Sequence, residues 1–230
     1  MAQSEFDDHA GQYERLLAGT LAEYGGEVEY FSEYKVKALN TLVKKFGVRS
    51  KAIFDFGCGV GNSIPWFKIY FPDSMVICSD VSLRSLEVAQ KHLSDQDMIL
   101  HISGDRINQA DNSVDLVFAT CVFHHIPPVF HSLWFSELYR ILRPGGLIMI
   151  FEHNPYNPVT RAIVRDCPFD ENAILIPSST LKKHLNDSGF KLTGLRFTVF
   201  FPEVLRFLRP LESYLTWMPL GAQYAAYGIK

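Results

Sequence analysis

The segment Asp55-Phe56-Gly57-Cys58-Gly59-Val60-Gly61-Asn62 decides the fold of this chain of 230 residues. It lies between an apolar run and a predicted helix, and its glycines permit a tight turn and a close approach of the backbone to a ligand. A dinucleotide-binding turn would place its third glycine where this chain has Asn62. Asp55, just before the turn, would repel a pyrophosphate and suits a ligand that carries an amino group.

Apolar runs like the one before this turn alternate with helical segments along the rest of the chain. Because these runs are apolar without interruption, they predict a parallel sheet that helices cover on both faces, with right-handed crossovers. Two late runs, at 190–201 and 223–229, lack a full crossover pattern and fit a sheet whose last strand is antiparallel. The predicted fold class is α/β, with three layers and seven strands. The first five strands are predicted at 52–56, 75–80, 98–102, 114–120 and 147–151.

Amphipathic segments flank this alternating region. A helix is predicted at 4–24, and a second helix, apolar from Val36 to Phe46 at helical spacing, ends at Gly47. Near the C-terminus, 202–217 has apolar residues at helical spacing and many aromatic side chains. Such a helix either packs on the sheet or on a second copy of the chain, or it forms a wall of a substrate pocket.

Composition excludes several classes of protein. The 22 basic and 25 acidic residues give a formal charge of −3, which argues against a non-specific nucleic-acid binder. The apolar runs are too short for a membrane span, and the N-terminus lacks the pattern of a secretory signal. The four cysteines are widely spaced with no C-x-x-C, so neither a zinc cage nor a disulfide framework is expected. We therefore expect a cytoplasmic protein with no metal and no transmembrane segment.

Acidic residues stand at the ends of three successive predicted strands, at Asp55, Asp80 and Asp105. The carboxyl ends of parallel strands meet at one edge, where open α/β sheets bind their ligands. An acid after the second strand can accept hydrogen bonds from both hydroxyls of a ribose. The alternative for Asp80 is a surface acid that caps the helix starting near Ser82.

Taken together, these motifs resemble those of the class I S-adenosylmethionine-dependent methyltransferases, over about residues 51–195. Within that superfamily the chain is most similar to small-molecule enzymes that include the quinone-biosynthesis type. The resemblance implies a Rossmann-like domain over residues 1–230, with a helical cap at 1–50, a cofactor-binding core at 51–153, and substrate-side insertions and final strands at 154–230. The matching motifs are the glycine turn, the segments 79–82, 104–105, 115–120 and 123–126, and the turn at 142–147.

The resemblance also implies a cofactor, S-adenosylmethionine, which leaves as S-adenosylhomocysteine. Asp55 would lie near its amino group, Asp80 would hold the ribose, and Asp105 would accept a hydrogen bond from the adenine. Tyr13 resembles an aromatic residue that closes over the cofactor. The cofactor-binding residues that the resemblance implies are Tyr13, Asp55, Gly57, Cys58, Gly59, Gly61, Asp80, Val81, Gly104, Asp105, Arg106, Thr120 and Cys121.

Methyl transfer is an in-line displacement, so the protein chiefly supplies proximity and alignment, and a base is needed only for a protonated nucleophile. The predicted catalytic residues are His125, Glu152 and His153, because the ends of strands four and five flank the methyl position. His124 and Arg161 are predicted to bind substrate. The alternatives are that the histidine pair orders its loop, and that Arg161 is a surface residue. Glu152-His153-Asn154-Pro155-Tyr156-Asn157-Pro158 is not general to the superfamily and indicates a narrower subfamily.

The predicted function is methyl transfer to a small-molecule acceptor, with a lipid-like acceptor as the sharper hypothesis. Two alternatives stay open: a nicotinamide-dependent oxidoreductase, and a protein that binds S-adenosylmethionine without catalysis. A nucleic-acid amino-methyltransferase is disfavoured, because its Asn/Asp-Pro-Pro-Tyr motif is replaced by Thr120-Cys121-Val122-Phe123. No nucleic-acid partner is expected, and a homodimer stays open.

Overall fold

The computed structural model describes residues 28–167 and 170–230. Tyr13 and the helix predicted at 4–24 lie outside the described residues. The helices are α1 (Val28–Phe46), α2 (Ile64–Tyr70), α3 (Leu83–Ala89), α4 (His131–Ile141), α5 (Pro158–Asp166), α6 (Ser178–Asp187) and α7 (Glu212–Leu215). Short 3-10 segments occur at Gln90–His92, Phe123–His125, Pro128–Phe130 and Glu203–Leu211.

The strands form one seven-stranded sheet, in the order β3-β2-β1-β4-β5-β7-β6. The pairs from β3 to β5 are parallel, while β7 runs antiparallel to both of its neighbours. The predicted seven-strand sheet with an antiparallel last strand is therefore confirmed. The strands are β1 (Ala52–Phe56), β2 (Met75–Asp80), β3 (Met98–His101), β4 (Val114–Thr120), β5 (Leu142–His153), β6 (Lys191–Thr198) and β7 (Gln223–Ile229).

Both faces of the central strands are buried, which is why their sequences are apolar without alternation. Every residue of β1 is buried. Ile53 packs with α1 and α2 on one face of the sheet, whereas Phe54 packs with α4 and α6 on the other. The two apolar clusters make the three predicted layers. The carboxyl ends of the strands are held between these clusters, because strand ends packed on both faces cannot shift independently.

The C-terminal insertion, residues 202–217, differs from the predicted amphipathic helix. It forms a 3-10 segment, Glu203–Leu211, with non-helical dihedral angles at Leu205, followed by the single turn α7. Pro210 lies inside this segment, and a proline removes a backbone donor and clashes with the preceding turn. No residue of Glu203–Leu211 is buried against the described part of the chain. The prediction of one continuous helix there is wrong for this reason.

None of the helices in the described ranges combines the length and the apolar character that a membrane crossing requires.

Candidate active site

The glycine turn after β1 adopts the conformation that its sequence predicts. Gly57, Gly59 and Gly61 have φ angles of 69°, 55° and 88°, a region that residues with a Cβ rarely adopt. The amide of Cys58 donates a hydrogen bond to the carbonyl of Ser79 at 2.9 Å, and the Gly59 amide donates to Asp80 Oδ2 at 2.8 Å. The Asp80 carboxylate thus links the turn to the end of β2 by a hydrogen bond.

A matched pair of substitutions separates the roles of two glycines in this turn. A Cβ on Gly57 would lie 2.5 Å from Val122 Cγ2, whereas a Cβ on Gly59 would meet no protein atom within 4 Å. We therefore expect Gly57→Ala to lower the melting temperature more than Gly59→Ala does. We expect Gly59→Ala to lose most of its affinity for S-adenosylhomocysteine, because a ligand would approach through the open space beside Gly59.

Thermal denaturation and calorimetry with S-adenosylhomocysteine measure the two effects on the same samples. Gly47→Ala serves as a control for the cost of a positive φ alone, since Gly47 has a φ of 63° and a Cβ added there would meet no atom within 4 Å. Parent-like affinity in Gly59→Ala would show that no ligand approaches the turn closely.

Asp55 lies beneath this turn and is almost completely buried, with 2% of its surface exposed. Its Oδ2 atom has no hydrogen-bond partner in the described chain. Burial, reinforced by the nearby charge of Asp80, raises the pKa of the Asp55 carboxyl to about 8. A buried carboxylate oxygen without a partner is costly on its own, and a cationic amino group would satisfy it.

A cavity of about 480 Å³ opens at the carboxyl ends of the strands. Its volume is in the range of small-molecule sites. The glycine turn, Asp80 and Val81 form part of the wall, and residues that follow β4 and β5 form another part. Helix α1 covers it with Phe31, Ser32 and Lys35. Apolar wall residues include Ile126, Pro127, Phe130, Trp134, Ile163 and Val199.

Glu152 organises the loop that follows β4. Its Oε1 accepts hydrogen bonds from the amides of Val122 at 3.1 Å and Phe123 at 2.7 Å, and its Oε2 accepts from His124 Nδ1 at 2.5 Å. The other ring nitrogen of His124, Nε2, lies 3.2 Å from Asp170 Oδ1. Burial disfavours a charged His124, but the Glu152 carboxylate outweighs it and raises the pKa of His124 well above its usual value.

Cys121 is the first residue after β4 and has a φ of 57°, so its thiol is directed by an unusual backbone conformation. Lys35 Nζ and Gln223 Nε2 each lie 3.8 Å from its sulfur, and His153 forms a further side-chain hydrogen bond with it. Burial alone would raise the pKa of the Cys121 thiol, but Lys35 and His153 lower it to about 7. This places a polarised thiol on the cavity wall.

The subfamily motif after β5 has a structural role at its asparagines. Asn154 Nδ2 donates hydrogen bonds to the carbonyls of Gly221 at 2.8 Å and Pro219 at 3.1 Å. Asn157 caps α5 by accepting from the Thr160 amide at 3.0 Å, and Pro158 occupies the first turn. These contacts fix α5, which brings Thr160 and Ile163 to the cavity.

The structure brings most of the predicted site residues to one place. Of the predicted set, Gly57, Cys58, Gly59, Asp80, Val81, Thr120, Cys121, His124, His125 and His153 line the cavity. Asp55 and Glu152 are buried behind its wall, and Gly61 packs against Ile64 and Ala89. Gly104, Asp105, Arg106 and Arg161 are exposed and do not line it in the described chain.

Among the polar wall residues that were not predicted as site residues, three contact the side chains after β4: Lys35, Asp170 and Gln223. A signal existed for Gln223. It begins a strand that was predicted to be antiparallel, so it had to start at the edge where the parallel strands end, and it does pair with His153. For Lys35 and Asp170 the sequence carries no comparable signal.

The comparisons with known proteins agree with this geometry. A family profile described as "Methyltransferase domain" matches residues 54–150. Residues 54–150 thus form a methyltransferase domain, as the class I resemblance predicts. The chain is 29% identical to the trans-aconitate 2-methyltransferase of Azoarcus sp. over 140 residues, which cover 60% of this chain and 53% of that protein. It is also 29% identical to the demethylmenaquinone methyltransferase of Staphylococcus saprophyticus over 160 residues, which cover 67% of this chain and 63% of that protein.

The chain spans about half the length of the first of these curated relatives. A solved S-adenosylmethionine-dependent methyltransferase from Thermotoga maritima, described as a possible histamine N-methyltransferase, has the same fold with a TM-score of 0.68. That similarity covers 98% of this chain and 97% of the other at 19% identity. The predicted methyltransferase resemblance and its Rossmann-like fold are confirmed.

The residues present fit S-adenosylmethionine, the cofactor of this class of domain. The cofactor carries a cationic amino group, and Asp55 offers a buried oxygen that lacks a partner. The open space beside Gly59 admits a close ligand. Asp80 combines a position on the cavity wall with a carboxylate that can accept from a ribose.

Proposed function

We propose that this chain transfers the methyl group of S-adenosylmethionine to a small-molecule acceptor bound in the same cavity. One observation carries the proposal: a single cavity of about 480 Å³ is lined both by the cofactor motifs and by a polar cluster at the ends of β4 and β5. That polar cluster consists of Cys121, His124, His125 and His153. A methyl donor and an acceptor that share one cavity meet at high effective concentration, which is the main requirement of this displacement.

The bound cofactor supplies an activated methyl group on a sulfonium. The chain's own residues hold and align the two partners. The glycine turn, Asp55 and Asp80 orient the donor, while Phe130 and Trp134 on the wall exclude water. His153, at the end of β5 and facing the cavity, is the residue that we assign to receive a proton from a protonated acceptor.

The acceptor has an apolar part in this proposal, because aromatic and aliphatic side chains form much of the wall beside the polar cluster. The lipid-like acceptor expected from the sequence belongs to this class. The C-terminal insertion does not contribute to it in the described chain, since the cavity wall contains no residue between 200 and 221. The relatives act on acceptors as different as trans-aconitate and demethylmenaquinone by their names, so their names do not choose one.

Calorimetry with S-adenosylmethionine, S-adenosylhomocysteine and NAD tests the cofactor half of the proposal. We expect the first two to bind and NAD not to bind. Asp80→Ala should cost about 1–3 kcal/mol of affinity, because a buried diol loses its acceptor and the turn loses its link to Asp80. Asp95→Ala, which removes an exposed acid outside the cavity, should bind like the parent.

Release of S-adenosylhomocysteine against a panel of metabolites tests the transfer half. The panel should contain quinols, carboxylic acids, amines and thiols, each with and without an apolar tail. Tight NAD binding without a response to S-adenosylhomocysteine would overturn the proposal in favour of an oxidoreductase. Binding of the cofactor with no turnover on any acceptor, including nucleic acid and protein, would indicate a binding protein.

A further inference from the structure

The cavity wall contains a cluster of two histidines and one carboxylate that the cofactor does not require. His124 Nε2 lies 3.2 Å from Asp170 Oδ1, and His125 Nε2 lies 3.4 Å from the same oxygen. The three ligand atoms lie within 4.8 Å of one another. In residues 28–167 and 170–230, this is the one group of three such side chains with atoms this close.

These separations match a coordination shell. Around an ion with ligands at about 2.0–2.1 Å, the donor atoms of a tetrahedral site lie roughly 3.4 Å apart. Both contacts to Asp170 are already near that value. The remaining separation, between the two imidazole nitrogens, is at most 4.8 Å.

Glu152 supplies the support that histidine ligands have in metal sites. His124 donates its Nδ1 hydrogen to Glu152 Oε2, which fixes the ring and directs Nε2 towards Asp170. A ligating histidine almost always donates its other ring nitrogen to a carboxylate or a carbonyl in this way. Glu152 is itself held by two backbone amides, so the ring orientation is set before any ion arrives.

We propose that His124, His125 and Asp170 bind a divalent first-row transition-metal ion, which takes the place of the Nε2 proton of His124 and releases that proton to solvent. Two imidazoles with one carboxylate suit Zn²⁺ or Fe²⁺, whereas Mg²⁺ prefers oxygen ligands alone. All three residues line the cavity, so the ion keeps an open position towards it. In the reaction, and resting there on the proposed function, that position takes an oxygen of the acceptor, which makes a hydroxyl or carboxylate compound the substrate class.

The experiment measures metal binding without any turnover. The full chain is purified without a metal-affinity column, treated with EDTA and dialysed, then titrated with Zn²⁺ by calorimetry and with Co²⁺ by visible absorption. We expect one ion per chain, Co²⁺ bands typical of a site with nitrogen and oxygen ligands, and a rise in melting temperature with added Zn²⁺. His125→Ala and Asp170→Asn should each weaken Zn²⁺ binding by at least about tenfold.

His92→Ala is the matched control, since His92 is an exposed histidine away from the cavity. Metal-free melting curves of all variants show whether each one folds, and Asp170→Asn preserves the shape of the side chain. Loss of binding in the two cavity variants with parent-like binding in His92→Ala supports the site. Absence of stoichiometric binding in the parent, or equal binding in Asp170→Asn, overturns it and leaves an ion-pair network.

The same samples separate this inference from the proposed function. Binding of S-adenosylhomocysteine to the metal-free parent reports on the cofactor site alone. If S-adenosylhomocysteine binds and Zn²⁺ does not, the metal site fails while the proposed function stands. If Zn²⁺ binds and S-adenosylhomocysteine does not, the metal site stands and the function fails.

Discussion

Replacing Glu152 by alanine is expected to lower the free energy of unfolding by about 3–5 kcal/mol, the usual cost of removing one partner from a buried ion pair. Glu152 is 1% exposed, and its two oxygens hold the amides of Val122 and Phe123 and the imidazole of His124. Its removal leaves two backbone amides and the Nδ1 donor of the buried His124 ring without their partner. Chemical denaturation followed by circular dichroism measures the loss.

Two further variants show whether the loss of stability comes from the Glu152 carboxylate itself or from the removal of any negative charge. Glu152→Gln keeps one oxygen for the backbone amides, so we expect a loss between the parent and the alanine variant. Glu87→Ala removes an exposed glutamate of α3 and should change stability by less than about 0.5 kcal/mol. An unfolding free energy of Glu152→Ala close to that of Glu87→Ala would show that Glu152 does not hold the loop.

Asp55→Asn is expected to stabilise the ligand-free protein at pH 8 and to weaken cofactor binding. The folded pKa of Asp55, about 8, lies above the ordinary aspartate value of 3.8. Below pH 4 the carboxyl is protonated in both the folded and the unfolded chain, so its ionisation does not change the stability. Between pH 4 and pH 8 the unfolded chain releases the proton while the folded chain retains it, so the parent loses stability as pH rises.

The neutral amide escapes this loss, although it buries donors of its own. A net gain on the order of 2 kcal/mol at pH 8 is therefore expected for Asp55→Asn, turning into a net loss near pH 4, where only the cost of the buried amide donors is left. Denaturant titrations across this pH range measure it, with Asp95→Asn as an exposed control. Parallel stability curves for the parent and Asp55→Asn would contradict a raised pKa at this position.

The cost to binding has an independent readout. The cofactor's amino group favours the charged carboxylate, so binding to the parent at pH 7 should release the Asp55 proton. Calorimetry of S-adenosylhomocysteine in buffers of different ionisation enthalpy detects that proton. Asp55→Asn should bind more weakly and release no proton from this position.

The core of the sheet was predictable because its signal is local. A strand buried on both faces must be apolar at consecutive positions, and Ile53 and Phe54 show this by packing on opposite sides of β1. Four strands, at 52–56, 75–80, 114–120 and 223–229, have the predicted bounds. The insertion was mispredicted because helical spacing of apolar residues does not register how Pro210 interrupts the backbone.

Glu152 shows the limit of reading a role from residue type. A carboxylate at the end of β5 fits a catalytic group by sequence, and its direct part in catalysis stays a prediction. In the structure both of its oxygens are engaged by the loop after β4, behind the cavity wall. Hydrogen-bond partners some thirty residues away are invisible in a local motif, although they decide what a carboxylate can do.

The sequence by itself determined the half of the cavity wall that the glycine turn and Asp80 form. Asp55, the glycine turn and Asp80 lie on two adjacent strands, and their spacing follows from one strand-turn-helix-strand unit. Only the tertiary structure decided the other half. It joins Lys35 of α1, Asp170 after α5 and Gln223 of β7 to the ends of β4 and β5. Contacts between such distant segments depend on how helices and an antiparallel strand pack against the finished sheet, and no local pattern encodes that packing.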